Sequence, residues 1–236
     1  MDVPKTLKLK PLEDAIVGIR TNLMSFLGNF HQPKPIRKTA TFPRVEERLS
    51  GVAVYALSNT NGEFVLVNSV TSGNSLGLFC FKEEDANALL NQLKTVPNQS
   101  GTTSKVVPLA LNKVFNLKEN GISFRFIPDS NQVKTAMEIM KREGNSSGAF
   151  TGVPVFQSRS LVLKSEGKSY RPLFFRKEDL DKSIAEASQE RDNLYPGDIQ
   201  VAVFEDVIKC MKEGSDPTWD DAIFIPPGFD LPTPSP

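Results

Sequence analysis

Hydrophobic and polar residues alternate along this chain in two rhythms, and the change of rhythm divides it. In "PLEDAIVGIRTNLMSFLGNF" the apolar positions Leu12, Ala15, Ile16, Ile19, Leu23, Phe26, Leu27 and Phe30 share one face of a helix. Glu13 and Asp14 stand in its first turn, where the helix dipole favours negative charge. The pattern predicts an amphipathic helix over 12–30, followed by the basic, Pro-rich linker "HQPKPIRKTATFPR". Such a helix packs on the body of the protein or docks on a partner, another copy or a membrane surface. From Gly51 the period shortens to two. "VAVYAL", "EFVLVN" and "LGLFCF" are β-branched and aromatic runs that predict strands, with Asn61-Gly62 as the turn between the first two. "KEEDANALLNQLK" returns to helical spacing, with Ala86, Leu89, Leu90 and Leu93 on one face and acids in the first turn. "VVPLAL" predicts a strand and "NKVFNLKENG" a short helix stopped by Gly121. "ISFRFI" then predicts a strand, and "PDSNQVKTAMEIMKREG" a helix with Val133, Ala136, Met137 and Met140 inward.

After this the series restarts. Gly152-Val153-Pro154-Val155-Phe156 echoes Gly51-Val52-Ala53-Val54-Tyr55, and Phe175-Arg176-Lys177-Glu178-Asp179 echoes Phe81-Lys82-Glu83-Glu84-Asp85. Phe204-Glu205-Asp206-Val207-Ile208 echoes Leu111-Asn112-Lys113-Val114-Phe115, and "AIFIPP" echoes "FRFIPD". The four matches keep their order at displacements of 101, 94, 93 and 98 residues, so a repeat is expected. The fold class predicted is α+β: two tandem β-β-β-α-β-α-β units related by a pseudo-twofold, with the amphipathic helix at the N-terminus and helices on one face of each mixed sheet. The expected division is 1–50 for the helix and linker, a candidate targeting segment; 51–144 for the first unit plus a connecting helix; 151–228 for the second unit; and 229–236 for a Pro-rich tail. The two units are expected to form one compact domain. The helix from Gln132 to Arg142 finds no counterpart in the second half.

Composition narrows the function classes. Lys plus Arg and Asp plus Glu balance at 28 each, so no charge excess points to nucleic acid. No run is long and apolar enough to predict a membrane span, and no secretory signal peptide is visible. Cys80 and Cys210 make neither a disulfide framework nor a metal set and read as buried free thiols. With one histidine, His31, neither a histidine metal cluster nor a Ser-His-Asp triad can be assembled. The carboxylates at Glu83-Glu84-Asp85, Glu178-Asp179 and Glu205-Asp206 each open a predicted helix, where capping explains them. No catalytic residue, cofactor or metal is expected. The 16 phenylalanines, against 3 tyrosines and 1 tryptophan, are the remaining signal. Phe buries much apolar area without needing a hydrogen-bond partner, so the excess serves a core or an apolar surface that takes up other chains. The candidates are Phe79, Phe81, Phe124 and Phe126, with Phe174, Phe175 and Phe224 in the second half. Alternation places each set on one face without saying which face is core.

Together "VYALSNTNGEFVLV", "LGLFCFKEEDANALLNQL", "GISFRFIPDSNQVKTAMEI", "GVPVFQS" and "WDDAIFIPPG" resemble the Tic-twenty-two family, from about Val52 to Gly228. The resemblance implies a soluble, peripheral, non-enzymatic component of the chloroplast protein-import apparatus in the envelope intermembrane space, with the stroma as the alternative. It implies chaperone-like binding of unfolded preproteins between the outer and inner translocons, translocon components as partners, and a two-lobed fold with apolar pockets. Peripheral membrane association would run through 12–30. Two rival classes remain beside it: a structural adaptor that docks through the N-terminal helix, and a thioredoxin-like or other enzyme, which the missing CxxC disfavours.

Overall fold

The computed structural model describes residues 44–68, 75–94, 104–119, 123–144, 148–165, 167–190 and 198–229. The predicted N-terminal helix, most of the linker and the C-terminal tail lie outside them. The described residues fall into two units, one of 49–129 and one of 130–229 together with 44–48.

The first unit runs β1 (Ala53–Ser58), β2 (Leu66–Asn68), β3 (Ser75–Cys80), α2 (Glu83–Lys94), β4 (Lys105–Ala110), α3 (Leu111–Glu119) and β5 (Ser123–Ile127). Its sheet places β1 between β3 and β4, both antiparallel to it. β5 pairs parallel with β3, and β2 pairs antiparallel with β3. A parallel neighbour needs a crossover, and the segment from α2 to α3 supplies it. Phe79 and Phe126 are register partners, so their side chains leave one face of the sheet together. Phe115 of α3 meets Phe124 and Phe126 on that face at centroid distances of 6.0 and 6.1 Å. Gly77 lies under the Phe79 ring, and a Cβ there would stand 3.2 Å from the ring edge. On the opposite face, α2 buries Ala86 and Leu90. Tyr55 and Cys80 pair across that side, and burial together with Asp85 pushes the Cys80 thiol up to about 11. At that value the thiol stays protonated and inert.

The second unit contains the one-turn α1 (Val45–Arg48), α4 (Ser130–Arg142), β6 (Pro154–Ser158), β7 (Leu163–Ser165), β8 (Lys168–Phe174), α5 (Lys177–Glu190), β9 (Ile199–Val203), α6 (Phe204–Glu213) and β10 (Ala222–Ile225). Its sheet runs β10-β8-β6-β9, with β10 parallel to β8 and β7 antiparallel to it. The pairings fall at the displacements seen in the sequence. Tyr55 opposite Cys80 becomes Phe156 opposite Phe174, Ala53 opposite Ala110 becomes Pro154 opposite Val203, and Cys80 beside Ile127 becomes Phe174 beside Ile225.

Helices cover both faces of this sheet, not the single face expected. Ala136 and Ile139 of α4 and Leu180 and Ile184 of α5 pack with Phe156, Phe174, Ile223 and Ile225. On the other side Phe204 of α6 meets Phe175 at 5.5 Å and Phe224 at 5.4 Å. The physical reason is visible in β6 and β10, whose residues are all buried, so neither strand has a polar face to give to solvent. The helix α4, expected to travel with the first unit, belongs to this core. Gln132, 4% exposed, fastens it: Nε2 donates to Glu178 Oε2 at 2.9 Å, and Oε1 accepts the Lys177 N–H at 3.0 Å. Gln132→Ala is therefore expected to lower stability by about 1–3 kcal/mol in urea denaturation of the whole chain, because it removes two hydrogen bonds made by one buried side chain.

The turn α1 is held to the same unit. Glu46 Oε1 and Lys212 Nζ of α6 are 2.9 Å apart, and that contact draws the Glu46 carboxyl below its usual range. Arg48 Nη1 donates to the Ala222 carbonyl of β10 at 2.7 Å.

Candidate functional site

Six of the seven phenylalanines singled out from the sequence are interior. Phe79, Phe81, Phe126, Phe174, Phe175 and Phe224 range from 0 to 9% exposed, and Phe124 is half-buried. Phe79 and Phe124 stand 6.1 Å apart, Phe81 and Phe126 5.5 Å, and Phe175 and Phe224 5.9 Å, so the rings pack against one another within each unit. As an accessible surface this set is corrected by its burial: with helices on both faces of a sheet, neither alternate set is open. Cys80 is buried and free as expected. Cys210 is free but half-buried.

Two of the carboxylates that open the helices hold backbone groups elsewhere in the second unit. Glu205 Oε2 accepts the Val153 N–H at 2.9 Å, and Asp179 Oδ2 accepts the Gly228 N–H at 2.8 Å. Ser158 Oγ donates to Asp198 Oδ1 at 2.6 Å and lies 2.9 Å from Ser160 Oγ. Asp198 Oδ2 also accepts the Ser160 N–H at 2.9 Å, so the carboxylate ties the turn after β6 to the start of β9. Among the described residues no group of three His, Cys, Asp or Glu is arranged to hold a metal, and no helix is long and apolar enough to cross a membrane.

Among the described residues, a groove of about 510 Å³ in the second unit has binding geometry. One wall is the outer stripe of α4, with Met137 and Met140. The other is Phe150, Thr151 and Val203, where the chain enters β6 and leaves β9. Helical spacing explains the division of labour on α4: Ala136 and Ile139 enter the core, and Met137 and Met140, one residue on, line the groove. Met137 is 41% exposed, one of two large apolar side chains so open among the described residues. Lys134, Glu138 and Lys141 stand at the rim. Methionine is unbranched and polarisable, so a methionine wall adapts to apolar side chains of different shapes. Such a groove suits apolar side chains of a polypeptide and offers nothing for covalent chemistry.

The sequence placed Met137 and Met140 among the inward residues of the helix. The signal missed was the width of the stripe. Val133, Ala136, Met137 and Met140 span more than a narrow seam, and its far edge passes beyond the sheet.

Comparison with known proteins agrees in one direction. A family model described as the Tic22-like family matches residues 31–235. The chain is 56% identical over 207 residues to the Arabidopsis thaliana protein named Protein TIC 22-like, chloroplastic, covering 84% of this chain and 66% of that protein. It thus spans slightly less than two thirds of that relative's length. It is 42% identical over 192 residues to Protein TIC 22, chloroplastic, of Pisum sativum, covering 80% of this chain and 75% of that one. Two solved structures, titled Anabaena Tic22 (protein transport) and Tic22 from Plasmodium falciparum, superpose with a TM-score of 0.63 each. They are 19% and 21% identical, cover 78% of this chain, and are themselves covered to 91% and 92%. At that identity the likeness is one of fold, the mixed α+β fold of those structures.

Proposed function

The chain belongs to the Tic22-like family, and from that premise we propose that it is a factor of chloroplast protein import that binds preproteins in transit and catalyses no reaction. Its place is the envelope intermembrane space, at the periphery of the membranes, with translocon components as neighbours. The observation that carries the binding part is the Met137–Met140 groove, open, apolar and adaptable, on a unit whose other described large apolar side chains are mostly interior. Apolar burial contributes about 25 cal/mol per Å² before ordering costs, and it discriminates little between sequences, as a factor with many clients requires. We read the chain as one unit written twice. The support is the shared strand order and the equivalent registers of the two sheets.

The test is crosslinking in isolated chloroplasts. A photoreactive residue at position 137 or 140 is expected to capture an importing preprotein, and one at the exposed position 209 of α6 is not. Protease protection of the intact envelope places the captured complex. Met137→Lys is expected to leave stability within about 0.5 kcal/mol, since the side chain is exposed, and to reduce capture severalfold. Absence of any preprotein crosslink from the groove would reject the reading.

A further inference from the structure

Among the described residues the second sheet ends on β9, and one backbone edge of that strand has no partner strand. β9 is antiparallel to β6, with Pro154 opposite Val203 and Ser158 opposite Ile199. The Phe204 N–H donates to the Val153 carbonyl at 2.8 Å, which fixes the phase of the ladder. Antiparallel pairs alternate between bonded and non-bonded. Gln200 and Ala202 therefore bond to β6. The N–H groups of Ile199, Val201 and Val203 and the carbonyls of Ile199 and Val201 face away from it. Among the described residues no strand pairs on that side.

The first sheet handles its corresponding edge differently. The Leu111 N–H donates to the Val52 carbonyl at 2.8 Å, so Val106, Pro108 and Ala110 are the outward residues of β4. Pro108 has no N–H, and it sits at the middle of the edge. Lys105 adds a charge at its end. Proline and lysine are the usual means of closing an edge to another chain. Displaced by 93 residues, the position of Pro108 is Val201, and β9 carries neither proline nor charge. One edge is guarded and its counterpart is not.

The open edge adjoins the groove. Ile199 and Val201 pack against the core beneath α4, so Val203, two residues on, shares their face. Val203 also lines the groove with Met137, Met140 and Phe150. A strand laid along β9 would direct every second side chain toward that wall. The rim carries Lys134 and Lys141 against one carboxylate, Glu138, which favours an acidic residue in the strand.

We propose that β9 is a site of strand addition for an extended polypeptide segment with apolar residues at alternate positions and an acidic residue near the rim. The segment pairs through its backbone with Ile199, Val201 and Val203 and seats its inward side chains in the methionine groove. The inference rests on the preprotein reading and specifies how a client is held. Main-chain bonds supply affinity that does not depend on sequence, and the groove supplies a preference for alternation.

The probe is a capped nine-residue peptide alternating valine and threonine with one central glutamate, titrated into the full chain. Binding is expected to slow amide exchange at Ile199, Val201 and Val203. Val201→Pro, which reproduces the first sheet's edge and removes no bond to β6, is expected to weaken binding about tenfold. Two N-methylated peptides keep the test decisive should that variant fold poorly. Methylation of one alternate set of residues removes the pairing N–H groups and is expected to abolish binding. Methylation of the other set is expected to leave it intact. If both methylated peptides bind like the parent, strand addition is overturned while the groove reading, judged by crosslinks at 137 and 140, stands. If the parent peptide does not bind the wild-type chain, strand addition is overturned even where preprotein crosslinks persist. Exchange at β9 that slows with protein concentration alone would make a second copy the occupant and overturn the assignment to a client.

Discussion

Gly152→Ala is expected to destabilise the chain by about 3 kcal/mol, with the denaturation midpoint falling and the slope unchanged. Gly152 has φ +99°, a backbone conformation that L-residues rarely adopt, which alone costs about 1–2 kcal/mol. A Cβ there would lie 2.7 Å from Val203 Cγ1 and 2.8 Å from Glu205 Oε2. Overpacking of this kind adds about 1–3 kcal/mol. Neither neighbour can withdraw freely. Glu205 Oε2 holds the Val153 N–H, and Val203 is fixed opposite Pro154 at the end of β9. The variant therefore loosens the start of β6, a strand whose residues are all buried. A midpoint equal to that of wild type would show that the bend at Gly152 relaxes without loss.

The second large effect is expected at Phe174. Phe174→Ala should cost about 3–5 kcal/mol, since the ring is fully buried and truncation leaves a cavity that stiff neighbours cannot fill. Phe156 lies opposite it in register, and Leu180, Ile184, Ile223 and Ile225 surround it. The equivalent position in the first sheet is Cys80, where Cys80→Ala removes one sulfur and should cost about 1 kcal/mol. Paired urea titrations of the two variants measure the asymmetry. Equal losses would mean that the two cores do not differ as their side chains suggest.

These two positions also show what could be read along the chain. The order of strands and helices was legible because the elements are short and change from a period of two to helical spacing at turn residues such as Asn61-Gly62. The displacements even anticipated the registers, since Tyr55 opposite Cys80 and Phe156 opposite Phe174 differ by the displacements of their own segments. The faces were not legible. Phe79 and Phe126 alternate with their neighbours whether the sheet is covered on one side or both, and pattern alone cannot count the layers. The groove was harder still. Met137 falls within the apolar stripe of α4 but one residue past the core position Ala136, and where along that stripe the cover of the sheet stops is a property of the assembled unit. The open edge of β9 needed the ladder phase, set by a single bond from Phe204 to Val153.

The short turn α1 has a consequence in time. Arg48 reaches the Ala222 carbonyl across 174 residues of sequence, and Glu46 reaches Lys212. A chain emerging from the ribosome can pair β1 with β4 and β3 with β5 while α1 still has nothing to hold. Closing so long a loop is entropically costly until the intervening sheet has formed and brought its ends together. The clasp of Arg48 on β10 thus waits until nearly all of the second unit has been synthesised.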